Sequence, residues 1–311
     1  MLVSVPITTY NSTNFILETL ESIYNQNYKD LELIISDDFS TDGTIEKVDL
    51  WIKLERVKTR FARIEFIKVT RNTGVSANCN RCINASNSEW IILVAGDDIL
   101  LPNCIEENLK FVAKNQEAKI VFSQVRVYQD TFVEKNFLQT IPQHYPENLM
   151  HQSFTAQDQY KILLLSDRIS YTPSFFLNKK AIQNVGGYDE TNRLVEDYPM
   201  WLKLTGSGEK LHYFHKETVG YRMHSNATNN NGQDVLVKSS VINNFQIRKK
   251  YAHQHLPKLF VLEENWVYTT AILFKKLGII KKTKLNQTLY KLTTVYLNPF
   301  FYGKFIYNKI N

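Results

Sequence analysis

Strand-like and helix-like stretches alternate through the first 98 residues, and their order leaves few folds open. Apolar runs at Leu2–Thr8, Leu31–Asp37, Ile64–Val69 and Trp90–Ala95 read as strands. Between them Asn14–Asn25, Thr44–Thr59 and Gly74–Ser86 carry helical periodicity. Strict alternation of this kind specifies an α/β fold with a mainly parallel, Rossmann-like sheet and helices on both faces. Ile91-Ile92-Leu93-Val94 is apolar throughout, the pattern of a strand buried on both sides of a sheet. Each strand ends in polar residues: Thr8-Thr9-Tyr10-Asn11, Asp37-Asp38-Phe39-Ser40, Arg71-Asn72-Thr73-Gly74 and Asp97-Asp98. In a parallel sheet the carboxyl ends lie side by side, so these loops converge on one site.

Asp97 and Asp98 are the chemically pointed pair. Adjacent carboxylates repel unless a cation, a hydroxyl or solvent takes up the charge. Oxygen ligands of this kind suit Mg²⁺ or Mn²⁺ bridging to a diphosphate. The competing reading is a plain loop, because Asp is common in turns.

A chain of 311 residues with 43% hydrophobic and 13% aromatic content buries a full core and has room for an appendage. No run reaches the ~18 apolar residues of a membrane span, and Met1-Leu2-Val3-Ser4-Val5 starts a strand without a basic leader, so the expected compartment is the cytosol. Three cysteines make a disulfide framework unexpected there. Cys79 and Cys82 form a C-x-x-C without a second pair, in a helical stretch, and read as ordinary buried thiols.

Six motifs in order resemble the family 2 glycosyltransferases, which have the GT-A fold and transfer sugars from nucleotide-sugars with inversion. They are Val3–Asn11, Ser22–Gln26 with Leu31–Thr44, Arg71–Gly74, the acidic pair before Leu101-Pro102, Val185–Glu190, and Glu196–Trp201. The likeness covers roughly residues 1–225, divided at residue 98 into a nucleotide-sugar-binding half and an acceptor-binding half.

The resemblance implies roles. Thr8 and Asp38 match positions that hold the nucleobase; a carboxylate suits uracil, whose N3–H it accepts, so the donor is a UDP-sugar. Tyr10 belongs to the same nucleotide-sugar-binding set. Arg71 matches a position that approaches the nucleotide, and Gly74 permits a tight entry into the next helix. Asp98 is implied as the metal ligand and Asp97 as a contact to ribose or the metal's water shell. Ala95 stands where the commonest family pattern has a further Asp, and Cys79 where relatives often carry Arg. Asp197 is implied as the catalytic base, with Glu196 beside it and the two roles exchangeable; both also suit a helix N-terminus electrostatically. Trp201 reads as core. His224 is implied as a further metal ligand, and Arg222 pairs with phosphates or with the acidic cluster. Asn226–Asp234 reads as a polar, mobile loop over the donor.

Beyond Glu264 there is no acidic residue, while Lys275, Lys276, Lys281, Lys282, Lys284, Lys291, Lys304 and Lys309 lie among aromatic and aliphatic residues. This composition describes a helical extension over 226–311 that binds an anionic membrane surface, or else packs on the catalytic domain or a second subunit. No nucleic-acid-binding motif accompanies it. The expected protein is an inverting, Mn²⁺- or Mg²⁺-dependent enzyme extending a glycan or lipid-linked acceptor in surface-polysaccharide assembly, peripheral on the inner face of the plasma membrane. A sugar nucleotidyltransferase would want a Gly-rich, Arg-containing loop after the first strand, which Thr8–Asn11 is not. A non-catalytic nucleotide-sugar binder would tolerate Ala95, and the intact Glu196-Asp197 argues against it.

Overall fold

The structure, a computed structural model, describes residues 1–145, 149–165, 169–224 and 235–303. Two compact units divide the chain, Met1–His224 and Ser225–Asn311.

The first unit opens as the alternation requires: β1 (Val3–Thr9), α1 (Ile16–Tyr24), β2 (Leu31–Asp37), α2 (Thr44–Trp51), α3 (Glu55–Lys58), β3 (Arg63–Lys68) and α4 (Val75–Ala85). Next come β4 (Trp90–Ile91), β5 (Val94–Ala95), β6 (Ile99–Leu100) and α5 (Cys104–Lys114). The unit is completed by β7 (Ile120–Gln129), β8 (Phe137–Ile141), α6 (Ala156–Leu165), β9 (Phe176–Asn178), α7 (Lys179–Asn184), α8 (Asp197–Gly206) and β10 (Leu211–Met223).

A ten-stranded sheet runs through the unit in the order β3-β2-β1-β4-β9-β7-β10-β6, with β5 also on β1 and β8 on β7. The strands β1 to β5 pair in parallel, and the register from Val3↔Leu31 to Thr9↔Asp37 sets the ends of β1 and β2 level. Antiparallel β9 joins this half to β7 and β10, so one sheet carries both halves of the unit. Its interior is apolar: Val3, Val5, Ile7, Leu33 and Ile35 are fully buried, as are Ile91 and Ile92.

Two local expectations change. The expected strand Trp90–Ala95 is split into β4 and β5, although Ile92 still donates its N–H to Ser4 and all four apolar residues stay buried. The expected helix Thr44–Thr59 breaks at Leu54, whose backbone is extended. The break turns Trp51, Val57 and Phe61 all inward, with the Trp51 and Phe61 rings 6.3 Å apart. Cys79 and Cys82 are buried thiols, as expected, and Cys104 is likewise free and buried.

The second unit contains α9 (Ser239–Tyr251), α10 (Lys258–Lys276) and α11 (Lys284–Lys291), which continues through a wide helical turn at Leu292–Tyr296. Arg248 and His253 both bond the Glu264 carboxylate, and the Phe245 and Tyr268 rings stack at 3.9 Å. Among the described residues no helix is long and apolar enough to cross a membrane. The expected loop Asn226–Asp234 and Lys304 and Lys309 lie outside the described residues.

Candidate active site

The loops after β1 and β2 are laced together at the level strand ends. Ser40 Oγ accepts the Asn11 N–H, Asn11 Oδ1 accepts the Thr41 N–H, and Thr44 Oγ1 accepts the Ser12 N–H. Asp42 completes this join: its carboxylate accepts from the Thr13 and Thr44 amides, so Asp42 is the residue that satisfies the start of α2. Thr8 is half-buried at the end of β1, and its carbonyl accepts the Gly96 N–H at 2.9 Å. Tyr10 is exposed, one residue beyond. Phe39, also exposed, sits at φ +73, a left-handed conformation that is costly for a bulky side chain.

Asp38 is buried, and four donors converge on its carboxylate: the Thr73 N–H and hydroxyl, the Gly74 N–H at 2.8 Å and Arg81 Nη2 at 2.7 Å. Burial alone would raise its pKa; the Thr73 hydroxyl, the Arg81 guanidinium and the two amides outweigh burial and hold it below the ordinary carboxylate range. A carboxylate offers roughly four lone-pair sites, so a base N–H reaches Asp38 only in exchange for one of these donors. The guanidinium on Asp38 comes from Arg81, which the sequence reading passed over. Arg71 is exposed instead, on a cavity of about 420 Å³ lined by Arg71, Asn72, Thr73, Ala77, Arg81, Glu190 and Arg193.

The helix α4 that begins at this turn also carries the segment leading to the acidic pair. Asn80 bonds both backbone groups of Tyr188, accepting its N–H at 2.8 Å and donating to its carbonyl at 2.9 Å, and reaches the Glu190 carboxylate at 2.8 Å. Ser76 donates to the Asn192 carbonyl, and the Val75 N–H to that of Arg193. Packing is close enough to require glycine twice. A Cβ at Gly74 (φ +94) would stand 2.8 Å from Arg193 Cβ, and one at Gly187 (φ +67) 2.8 Å from Asn80 Oδ1.

Glu196 and Asp197 follow at once, Glu196 as the N-cap residue of α8 and Asp197 in its first turn. Burial, then the neighbouring Asp197 charge, pushes the Glu196 carboxyl up to about 8. Burial also raises Asp197, opposed by the Tyr198 N–H at 2.7 Å and by the Thr172 hydroxyl. A carboxyl poised near neutrality is what proton abstraction at ordinary pH needs. One turn on, Trp201 is fully buried with Phe122 at 5.0 Å and Phe175 at 5.7 Å, so it is core.

Asp97 and Asp98 follow β5. Asp98 is buried; its Oδ1 accepts the Arg222 N–H at 2.9 Å and its carbonyl the Thr19 hydroxyl at 2.7 Å. Burial, then Asp97, drives its pKa well up, opposed by the Arg222 amide and charge. Asp97 is more open and lies 3.1 Å, Oδ2 to Nε2, from His224, which packs on Phe15. Arg222 lies behind this pair. Buried between the Phe15 and Phe132 rings, it donates to the Asp97 and Asp130 carbonyls and pairs with Glu18. The one carboxylate its guanidinium meets is therefore Glu18, not Asp97 or Asp98.

The donor chemistry at Asp97, Asp98 and His224, two carboxylates and an imidazole, fits a hard divalent ion. Among the described residues no three such side chains form a ready cage.

The sheet, parallel in one half and mixed in the other, is that of the GT-A fold. Residues 4–186 match the model of glycosyl transferase family 2. The chain belongs to that family and is a glycosyltransferase. It is 26% identical over 265 residues to the Escherichia coli UDP-Glc:alpha-D-GlcNAc-diphosphoundecaprenol beta-1,3-glucosyltransferase WfaP, covering 85% of this chain and 93% of that protein. The putative glycosyltransferase EpsE of Bacillus subtilis (strain 168) is 30% identical over 218 residues, 66% of this chain and 67% of EpsE. The structure of S. aureus TarS 1-349 in complex with UDP-GlcNAc superposes with a TM-score of 0.60 at 15% identity, over 95% of this chain and 80% of that one. Against the longer TarS structure the TM-score is 0.55, and the chain spans 43% of its length.

Proposed function

We propose that this enzyme transfers a sugar from a UDP-sugar, with inversion, to a hydroxyl of a lipid-linked glycan during assembly of a bacterial surface polysaccharide. The observation that carries the reading is the shared support of two groups by α4. Its N-cap Gly74 and its Arg81 bond Asp38 at the nucleotide loops, and Asn80 bonds the strap that ends at Glu196-Asp197. A donor held by the first group presents its sugar toward the second. The names of WfaP and of the TarS complex, with UDP-Glc and UDP-GlcNAc, support uridine as the base and a diphospho-lipid glycan as the acceptor class.

Thr8, Tyr10 and Arg71 contact the nucleotide, and Asp38 fixes the wall of the base site through Thr73 and Arg81. Asp197 takes the proton from the acceptor hydroxyl as that oxygen attacks the anomeric carbon, and Glu196 shares and tunes the proton. Attack from the face opposite the departing diphosphate inverts the anomeric centre without a covalent intermediate. Asp98 and Asp97, with His224, would hold Mn²⁺ or Mg²⁺, which when bound offsets the charge of the departing diphosphate. Arg222 positions this set by bonding Asp98 through its N–H and the Asp97 carbonyl through Nε. The enzyme works at the cytosolic membrane face, where a lipid-linked acceptor is presented.

Thermal stabilisation by a panel of nucleotides and nucleotide-sugars, each with and without Mn²⁺, tests the reading. UDP and a UDP-sugar should raise the melting temperature, more so with Mn²⁺. Stabilisation by nucleotides of another base, with none by UDP, would overturn it.

A further inference from the structure

The second unit presents an apolar stripe in the direction a water-facing helix normally keeps polar. Leu285, Leu289, Leu292 and Tyr296 recur at helical spacing along α11 and its continuation, and all are exposed, Leu285 to 68% and Tyr296 to 55%. The inward side carries Thr294 and Asn298, both buried, and Tyr290, whose ring meets Phe274 edge-on at 5.3 Å. Leu277 and Ile280, on the turn leading into α11, are exposed as well. An exposed apolar patch of this extent marks an interaction surface.

Charge identifies the partner. Lys275, Lys276, Lys281, Lys282, Lys284 and Lys291 are all exposed around these residues. Among the described residues none of them pairs with a carboxylate, and the sequence has no acidic residue after Glu264. From these observations we propose that the C-terminal unit lies flat in the headgroup region of an anionic membrane, with the Leu285–Tyr296 stripe inserted and the lysines at phosphate depth. A second copy meeting this face by two-fold symmetry would set lysines against lysines with no acid to relieve them. The exposed leucines have no counterpart on a nucleic-acid backbone, which is read by charge. This deepens the lipid-linked acceptor reading by naming the surface that brings the enzyme to its acceptor.

Flotation of the full chain with phosphatidylcholine vesicles, with and without phosphatidylglycerol, tests the proposal. The protein should float with anionic vesicles at low salt, remain below neutral ones, and be largely released at high salt. Leu285→Glu with Leu289→Glu should cut vesicle affinity by about tenfold or more. Reversing Lys281, Lys282 and Lys284 to Glu should cut it by at least fivefold per site, since each lysine near such a surface is worth about that factor. Because all five side chains are exposed, melting temperature and UDP binding should be unchanged. Absence of flotation, or variants that float as well as the parent, would overturn the proposal. So would a dimer in sedimentation that Leu289→Glu dissolves while vesicle binding is absent. Flotation needs no nucleotide, so its failure leaves the donor chemistry intact, and failure of UDP binding leaves this surface intact.

Discussion

Asn80 holds Tyr188 by both of its backbone groups across 108 positions of sequence, accepting the amide at 2.8 Å and donating to the carbonyl at 2.9 Å. This pairing, with the third bond to Glu190, fixes the segment that delivers Glu196 and Asp197. Asn80→Ala removes three partly exposed hydrogen bonds, each worth about 1 kcal/mol. The expected outcome is a stability loss of about 2–3 kcal/mol in urea unfolding. Turnover should fall while UDP affinity, measured by calorimetry, stays within about twofold, as for a loss confined to the reacting geometry.

Arg81 and Asp38 form the partly buried ion pair of the nucleotide loops. Arg81→Gln leaves a buried carboxylate without its guanidinium and should cost about 3 kcal/mol. The pH dependence has a definite sign. Asp38 titrates below its unfolded value, so its contribution is present above about pH 4 and is lost as pH falls through the lowered native value. Acid unfolding of Arg81→Gln should therefore begin at a higher pH than that of the parent, which circular dichroism along a pH titration would read.

For Glu196 the sign reverses. Its carboxyl titrates near 8 in the folded enzyme, against an unfolded value of about 4.3, so between those values the native state binds the extra proton and stability falls as pH rises. Glu196→Gln should flatten the decline in melting temperature between pH 5 and pH 8. In the parent, the rate should climb through neutral pH as the pair gives up its proton.

Much of the first half was legible because its signals are local. The alternation placed β2 on the observed residues and β1 and β3 within one residue, and Gly74 was readable as a tight helix entry. The break at Leu54 was not, since no Gly or Pro announces it and packing of Trp51, Val57 and Phe61 decides it. The same holds for the contacts that build the site. Arg81 reads as an ordinary helix residue until α4 is laid against β2, and Arg222 meets Glu18 across 204 positions. Asn80 is likewise anonymous in sequence, because the strap it binds comes from beyond β9.

Asp98→Ala should abolish the part of UDP binding that depends on Mn²⁺ while leaving the metal-free affinity nearly unchanged. Calorimetric titration of UDP with and without Mn²⁺ checks this. Because Asp98 also accepts the Arg222 amide, Asp98→Asn is the companion variant, keeping an acceptor oxygen while removing the charge. Full metal dependence in both variants would move the ion elsewhere.

The most direct test is UDP release from a UDP-sugar with a lipid-linked acceptor, comparing the parent with Asp197→Asn. The base role of Asp197 requires Mn²⁺-dependent release by the parent and a variant that binds UDP with unchanged affinity while turning over about 10²-fold or more slower. Near-parental turnover by Asp197→Asn would contradict it.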